Sequence, residues 1–154
     1  TGVQIGPGCD LINKTAGSKP FTTYVTPTTV NYGLRSVSVP ISARYLWPGV
    51  QTAADATEVF YRFQQKSIVR GLFVNMRNAP GVGKSVTVMV NKSTTGIAGS
   101  GVATTMTTTI SGTSLSGTSY TTSVDFGQFE YLSVEISGTG GNSAQDVTIQ
   151  LDLF

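Results

Sequence analysis

Carboxylates are the main candidates for chemistry in this sequence, because the chain has eight Asp and Glu residues and no His. A pair of carboxylates can perform general acid/base catalysis, as in glycoside hydrolysis, if the two groups converge on one bond. Glu135 and Asp152 are predicted at outward strand positions, and Asp125 and Asp146 at strand ends, which are solvent-facing or turn roles. A hydrolase is one hypothesis, and it requires two of the following acids to meet in a cleft: Asp10, Asp55, Glu58, Asp125, Glu130, Glu135, Asp146 and Asp152.

The absence of His and the single Cys exclude several kinds of active site. Zinc sites of the His/Cys type lack their ligands, and Ser-His-Asp or Cys-His nucleophile systems lack their base. No Asp-x-Asp cluster indicates a calcium or magnesium site. We therefore predict no metal, no cofactor and no catalytic residue, and we expect that the protein is not an enzyme. Cys9 cannot form a disulfide within the chain, although it can pair with another chain.

One short motif is similar to a phosphate-binding loop but lacks two of its features. Residues 79–85 read APGVGKS, and the full pattern needs a Gly at position 78, where the chain has Asn78. A phosphate-binding loop also leads into a helix, whereas a strand pattern follows here at once. The sequence therefore predicts a Gly-rich hairpin turn at Gly81–Gly83 with a solvated lysine, and no nucleotide binding.

Aromatic side chains near turns are the candidates for ligand contact. Trp47 is followed by a Pro-Gly pair, so it lies at a predicted turn where its indole can be exposed. Phe60 and Tyr61 are adjacent and must face opposite sides of a strand. We name Trp47, Tyr45 and Tyr61 as candidate contacts to a ligand or to another subunit. Packing in the core or between subunits is the simpler interpretation for the aromatic residues as a group.

The composition favours a β-rich protein whose surface is covered by hydroxyl groups. The chain has 154 residues, with 23 Thr, 16 Ser and 18 Gly. Charged residues make up 12% of it, about half the usual share. A net charge of +2 is too balanced for a nucleic-acid surface. No apolar run approaches the ~18 residues that span a bilayer. We therefore expect neither nucleic acid nor a membrane as a partner.

Alternating apolar residues predict an all-β protein. In residues 85–91, 131–137 and 146–154 every second side chain is apolar, so one face of each strand is buried and the sheets are antiparallel. The eight predicted strands are Leu34–Ser42, Thr57–Phe63, Ile68–Met76, Ser85–Asn91, Val102–Ile110, Ser119–Val124, Tyr131–Ser137 and Asp146–Phe154. Short strands separated by Gly-rich turns are typical of a β-sandwich or barrel. Only Thr52–Glu58 has a composition that suits a single helical turn.

The sequence divides into two parts. Residues 1–33 are rich in Gly and Pro and lack a sustained apolar pattern, which predicts an extended N-terminal arm that packs on a neighbour. About thirty residues cannot bury a core alone, so the arm is not a separate domain. Residues 34–154 are predicted to form the sandwich.

Residues 57–154 resemble a recurring sequence type in jelly-roll structural proteins of phages and large DNA viruses. The resemblance depends on GLFVNMRNAPGVGKSVTVMVNK at residues 71–92 and LSVEISGTGGNSAQDVTIQLDLF at residues 132–154. A Thr-rich strand and a Ser/Thr/Gly turn lie between these stretches. The resemblance implies an antiparallel β-sandwich of jelly-roll type with about eight strands and almost no helix, and it implies no catalytic residue.

The resemblance also implies a function, which is that of a virion structural protein: a minor capsid, decoration or fibre-head subunit. Such a protein acts through subunit contacts, as a homo-oligomer for which a trimer is preferred, with other capsid or virion proteins as partners. Its location is the virion or the extracellular space. Few charges guard the predicted sheet edges, which independently indicates that neighbouring chains cover them. The alternative is a host-attachment or carbohydrate-binding β-sandwich module that uses Trp47, Tyr45 and Tyr61.

Overall fold

Eleven β-strands and no helix are present in residues 28–120 and 122–154, the part of the chain that this computed structural model describes. The strands are β1 (Thr28–Ser38), β2 (Arg44–Leu46), β3 (Gly49–Gln51), β4 (Tyr61–Arg62), β5 (Ser67–Asn78), β6 (Gly81–Ser93), β7 (Val102–Gly112), β8 (Ser116–Ser119), β9 (Val124–Phe126), β10 (Tyr131–Gly138) and β11 (Gln145–Leu153). The predicted all-β class is confirmed.

The strand order is that of a jelly roll. The six-stranded sheet has the order β3-β1-β11-β5-β8, with β9 also beside β5. The five-stranded sheet has the order β2-β10-β6-β7, with β4 also beside β10. All of these pairs are antiparallel except β1 with β3.

Two positions in these sheets are each shared by two short strands, and β3 is an additional strand beside β1, which together explain why eleven strands are present where about eight are predicted. Strands β2 and β4 share the position beside β10, and β8 and β9 share the position beside β5. Apart from β3, eight positions remain, and in chain order they run 1-8-3-6 in one sheet and 2-7-4-5 in the other. This double Greek-key order confirms the predicted jelly-roll sandwich.

The core lies between the two sheets and is built from the alternating residues that the sequence indicates. Val86, Val88 and Val90 of β6 have no exposed surface. The inward residues of β10 and β11 are likewise buried, while the residues between them form the outer faces. At one end of the core the rings of Phe63 and Phe126 lie with their centroids 4.8 Å apart. Removing this apolar surface from water is the main stabilising contribution to such a fold.

The boundary of the sandwich lies earlier than predicted. Strand β1 begins at Thr28, and residues 28–33, which were assigned to the arm, pair with β11 from Leu153 to Thr148. Tyr32 is 3% exposed and Leu34 is 1% exposed, so the strand contributes to the core on both sides of the predicted boundary. The alternation of Val30, Tyr32 and Leu34 crosses the predicted boundary, and the Gly and Pro residues earlier in the sequence led to its assignment to the arm. The rest of the predicted arm, including Cys9, lies outside the described residues.

Three local predictions are corrected. The segment Thr52–Glu58 contains no helical turn, and Asp55 instead forms an isolated bridge with Tyr45. The segment Gly81–Gly83 is not a turn but the bulged beginning of β6, since the register shifts between Gly81 and Ser85. The GKS motif at residues 83–85 is thus part of a strand that continues to Ser93, and it does not lead into a helix, as expected. The predicted strand Ser119–Val124 is mostly the connection between β8 and β9.

Candidate interaction surfaces

The carboxylate of Glu58 joins three parts of the chain on the outer face of the five-stranded sheet. The Ser133 hydroxyl of β10 donates to Glu58 Oε1 at 2.6 Å. The backbone N–H groups of Gly99 and Gly101, in the connection between β6 and β7, donate to Glu58 Oε2 at 2.9 and 3.1 Å. Glu58 is 7% exposed and Ser133 is 1% exposed. These four residues, the Glu58 clamp, form a buried and satisfied hydrogen-bond network.

Glycine is required in the Glu58 clamp for steric reasons. A Cβ atom at Gly101 would lie 1.9 Å from Glu58 Oε1, closer than any real contact allows. The loop is also ordered internally, because the Ser93 hydroxyl accepts the N–H groups of Thr95 and Gly96 at 3.1 and 3.0 Å. The local sequence therefore shapes this connection to receive a carboxylate from its own chain.

A second carboxylate, Glu135, lies on the same outer face. Its Oε2 accepts a hydrogen bond from Asn91 Nδ2 at 3.0 Å. Partial burial, followed by the negative charges of Glu135 and Glu58, raises the pKa of the Tyr45 phenol. Glu58 and Glu135 both lie near Tyr45, so they are one candidate for the two carboxylates that the hydrolase hypothesis requires. Because Glu58 is buried with three donors on its oxygens, the pair suits the binding of loops better than proton transfer to a substrate.

The other described acids occupy turns and strand faces. Asp55 accepts the N–H of Thr57 at 2.9 Å, Asp146 pairs with Arg77 at 3.0 Å, and Asp152 accepts from Gln150 at 2.9 Å. Within the described ranges, no group of three or more His, Cys, Asp or Glu is placed to hold a metal ion. Asp10 lies outside those ranges.

Glu130 forms an ion pair whose effect on stability depends on pH. Lys92 Nζ lies 2.6 Å from Glu130 Oε2, and the N–H of Gly127 donates to the same oxygen. The Lys92 hydrogen bond, then that of Gly127, lowers the pKa of Glu130 below its ordinary value of 4.5. The folded protein therefore holds this proton less tightly than the unfolded chain does. The resulting stabilisation is present above pH 4.5 and is lost as the pH falls through the lowered pKa.

We expect Glu130→Gln to reduce the loss of stability in acid. Urea midpoints measured across a pH series should fall less steeply below pH 4.5 for this variant than for the wild type. Asp125→Asn, which changes an exposed acid five residues earlier, serves as the control. Identical pH profiles for the wild type and Glu130→Gln would contradict the assignment.

The three aromatic residues named from the sequence do not form one platform. Tyr45 opposes Glu135 across β2 and β10, whereas Tyr61 opposes Leu132 across β4 and β10. Leu132 points into the core and Glu135 points away from it, so the two tyrosines belong to opposite faces of the sheet. Tyr61 is 39% exposed and makes an edge contact with Phe63, with ring centroids 5.2 Å apart.

Trp47 lines an open cleft of about 820 Å³, and neither Tyr45 nor Tyr61 lines this cleft. The indole is 51% exposed. Arg35, Arg44 and Asp55 also line the cleft. The backbone N–H of Trp47 donates to Gln51 Oε1 at 3.2 Å, which fixes the turn after β2. Exposure of Trp47 at a turn agrees with the expectation from its Pro-Gly neighbours.

The edge of β7 is a surface that the sequence does not identify. Within the described residues β7 pairs only with β6, so its other edge presents unpaired backbone groups. This strand has 11 residues, whereas the strands that end the sheets elsewhere have two to four residues; of these, β3 covers residues 32–34 of β1. Its sequence, VATTMTTTISG, has no charge and no Pro. Only the strand order, which the local pattern does not contain, shows that this segment is an edge.

Comparisons with known proteins add no relationship to these observations. No protein-family model matches the chain, and no curated protein matches it. Among the described residues, no helix has the length and apolar character needed to cross a bilayer.

Proposed function

We propose that this protein is a virion structural subunit that works by association with other subunits, and that β7 carries a principal contact. The single observation behind this proposal is the long, uncharged and unpaired edge of β7. The jelly-roll order is consistent with it, since viral capsid domains commonly have this architecture. The resemblance of residues 57–154 to viral structural proteins supports the same function.

An edge of this kind favours pairing with another strand. Natural sheets usually block their edges with Lys, Pro, bulges or very short strands. In β7 a bulge interrupts the register between Met89 and Asn91 of β6, but residues 107–111 pair regularly with residues 85–89. Thr107, Thr109 and Ser111 are exposed on the outer face of this regular part. Because these hydroxyl side chains are uncharged, two such edges can pair without repulsion between like charges.

The occupant of this edge is a second copy of the chain. A strand edge is self-complementary in antiparallel pairing, so two β7 strands related by a twofold axis form a continuous sheet. A ring, such as the trimer implied by the resemblance, instead requires β7 to contact a different surface of the next subunit. Both arrangements use the same edge and differ in the mass of the particle in solution.

A double substitution on β7 tests the proposal. We expect Thr107→Lys/Thr109→Lys to weaken self-association of the full chain at least about tenfold, because like charges then face each other across the contact. Size-exclusion chromatography with light scattering measures the mass. A multiple of 16.1 kDa is expected for the wild type, and a shift toward a single chain is expected for the variant.

The matched control is Thr87→Lys/Met89→Lys, which changes the residues of β6 directly opposite Thr109 and Thr107. In a twofold pairing these lysines lie three strand spacings, about 14 Å, from their copies. That distance exceeds the Debye length of about 8 Å at physiological salt, so the control should assemble like the wild type. A monomeric wild type, or equal masses for both double variants, would contradict the proposal.

Host attachment or carbohydrate binding remains the alternative function. The observation in its favour is the cleft at Trp47, where a half-exposed indole lies near two arginines. The separation of Tyr45 and Tyr61 onto opposite faces removes the joint platform on which that alternative was based.

A further inference from the structure

A groove crosses the outer face of the six-stranded sheet, on the opposite side of the molecule from the Glu58 clamp. It consists of two adjoining depressions of about 370 and 240 Å³, which share Val50 and Thr148 as lining residues. Val50 of β3 forms one wall and Phe73 of β5 forms the other, with β1 and β11 as the floor. Strand β3 creates this concavity because it extends the sheet beyond β1.

Glycines on the outer face make the groove possible. A Cβ atom at Gly33 would lie 3.2 Å from Val50 Cγ2, so the valine side chain leans over a position without a side chain. A Cβ atom at Gly71 would lie 2.6 Å from Phe73 Cε2. The Phe73 ring therefore lies over Gly71, on the sheet surface, and it is half-buried there. Phe73 also lines the smaller depression, so part of its side chain borders the groove.

Side-chain amides surround the ring in register. Asn31, Gln150 and Phe73 form one cross-strand row over β1, β11 and β5. The neighbouring row contains Thr148 and Asn75. Adjacent strands are about 4.8 Å apart and alternate residues about 6.8 Å apart, so these groups form a small polar lattice. All four polar side chains are exposed.

The side-chain amides of Asn31, Asn75 and Gln150 have donors or acceptors that can bond to a ligand. Within the described ranges, Asn31 and Asn75 make no side-chain hydrogen bond. Gln150 Nε2 donates to Asp152 Oδ1 at 2.9 Å, which orients the amide and leaves its oxygen as an acceptor. Each primary amide both donates and accepts, as does each hydroxyl group of a sugar. An aromatic ring beside such amides is the combination that binds a pyranose, with its C–H face on the ring and its hydroxyls on the amides.

The charges around the groove favour a neutral ligand. At one end Arg77 is paired with Asp146 at 3.0 Å, and Arg35 is nearby. At the other end Asp152 lies beside Phe73 and Gln150. The positive charges of the two arginines are therefore balanced by the negative charges of the two aspartates. A protein partner fits less well, because interface cores are apolar and this groove offers only Val50 and part of one ring.

We infer that this groove binds a neutral oligosaccharide, with a pyranose on Phe73 and its hydroxyls on Asn31, Asn75 and Gln150. The site goes beyond the proposed structural role, and it lies on a different sheet from β7. Sugar binding and self-association can therefore be measured independently on the same protein.

The test uses the full chain and a panel of tetrasaccharides of glucose, mannose, galactose and N-acetylglucosamine, with binding followed by titration calorimetry. At least one member of the panel is expected to bind. Phe73→Ala and, separately, Gln150→Ala are expected to weaken that binding about tenfold or more. Thermal unfolding of each variant establishes that it is folded. Because Gln150 is exposed, its substitution keeps the test valid even if Phe73→Ala fails to fold.

Trp47→Ala is the matched control, since it removes an exposed aromatic ring outside the groove. It is expected to leave sugar binding unchanged. No binding to any member of the panel would overturn the inference. Loss of binding in Trp47→Ala with retention in Gln150→Ala would also overturn it and would place the sugar in the Trp47 cleft. Unchanged self-association of Phe73→Ala would show that this site is separate from the β7 contact.

Discussion

Glu58→Ala is expected to lower the free energy of unfolding by about 3 kcal/mol, since it leaves buried donors without their charged acceptor. The Ser133 hydroxyl and the N–H groups of Gly99 and Gly101 all donate to this carboxylate, which is 7% exposed. A hydrogen bond to a charged group contributes about 1.5–3 kcal/mol, and rehydration of the loop offsets part of the loss. Urea unfolding followed by tryptophan fluorescence measures the change.

Two further variants separate the role of the carboxylate from that of its volume. Glu58→Gln keeps one oxygen acceptor and the side-chain shape, so it should lose less stability, about 1–2 kcal/mol. Asp125→Ala removes an exposed carboxylate and should change stability by less than about 0.5 kcal/mol. If Glu58→Ala were as mild as Asp125→Ala, the Glu58 clamp would not hold the loops together.

Phe126→Ala is expected to be the most destabilising single substitution, with a loss of about 3–5 kcal/mol. The ring has no exposed surface, and it packs against Phe63 with centroids 4.8 Å apart. Truncation removes the transfer free energy of the ring and leaves a cavity that the surrounding strands cannot fully close. The same unfolding experiment measures this loss.

The control for Phe126 is Phe129→Ala, which removes the same ring from a turn three residues later. Phe129 is 46% exposed, and its main contact is Arg62, whose guanidinium carbon lies 4.7 Å from the ring centroid. Its loss should therefore cost less than about 1 kcal/mol. Equal losses at the two positions would mean that burial does not determine their contributions.

The sequence predicts the strands that alternate strongly and cannot predict how short segments are distributed between sheets. In β6, β10 and β11 the period of two identifies the buried face at each position. Strands β2, β3 and β4 have only two or three residues, which is too short for any period. The first and third of them join the five-stranded sheet and the second joins the other sheet. Tyr45 and Tyr61 both lie in the five-stranded sheet, and only the register of their short strands on β10 places them on opposite faces, so their separation could not be predicted.

Burial of polar residues is the second feature that alternation does not reveal. Ser133 occupies an outward position of β10, as its place between Leu132 and Val134 indicates. It is nevertheless 1% exposed, because it bonds to Glu58 from the segment before β4. Contacts between residues 75 positions apart in the chain depend on the tertiary fold. The β7 edge and the sugar groove likewise follow from strand order and register, which no local pattern contains.

The resemblance to viral jelly-roll proteins implies both a fold and a function. The fold it implies is confirmed by the strand order of both sheets. The virion function stays a proposal, which depends on whether copies of this chain associate. The uncharged, 11-residue edge of β7 is the structural reason to expect that they do.

The most direct test is amide hydrogen exchange of the full chain, measured over a range of protein concentrations. In residues 107–111 of β7, alternate N–H groups bond to β6 and the others point away from the sheet. If subunits pair through this edge, the outward N–H groups should become protected as concentration rises, and Thr107→Lys/Thr109→Lys should abolish that protection. Fast exchange of these groups at every concentration, or protection that persists in Thr107→Lys/Thr109→Lys, would contradict the account.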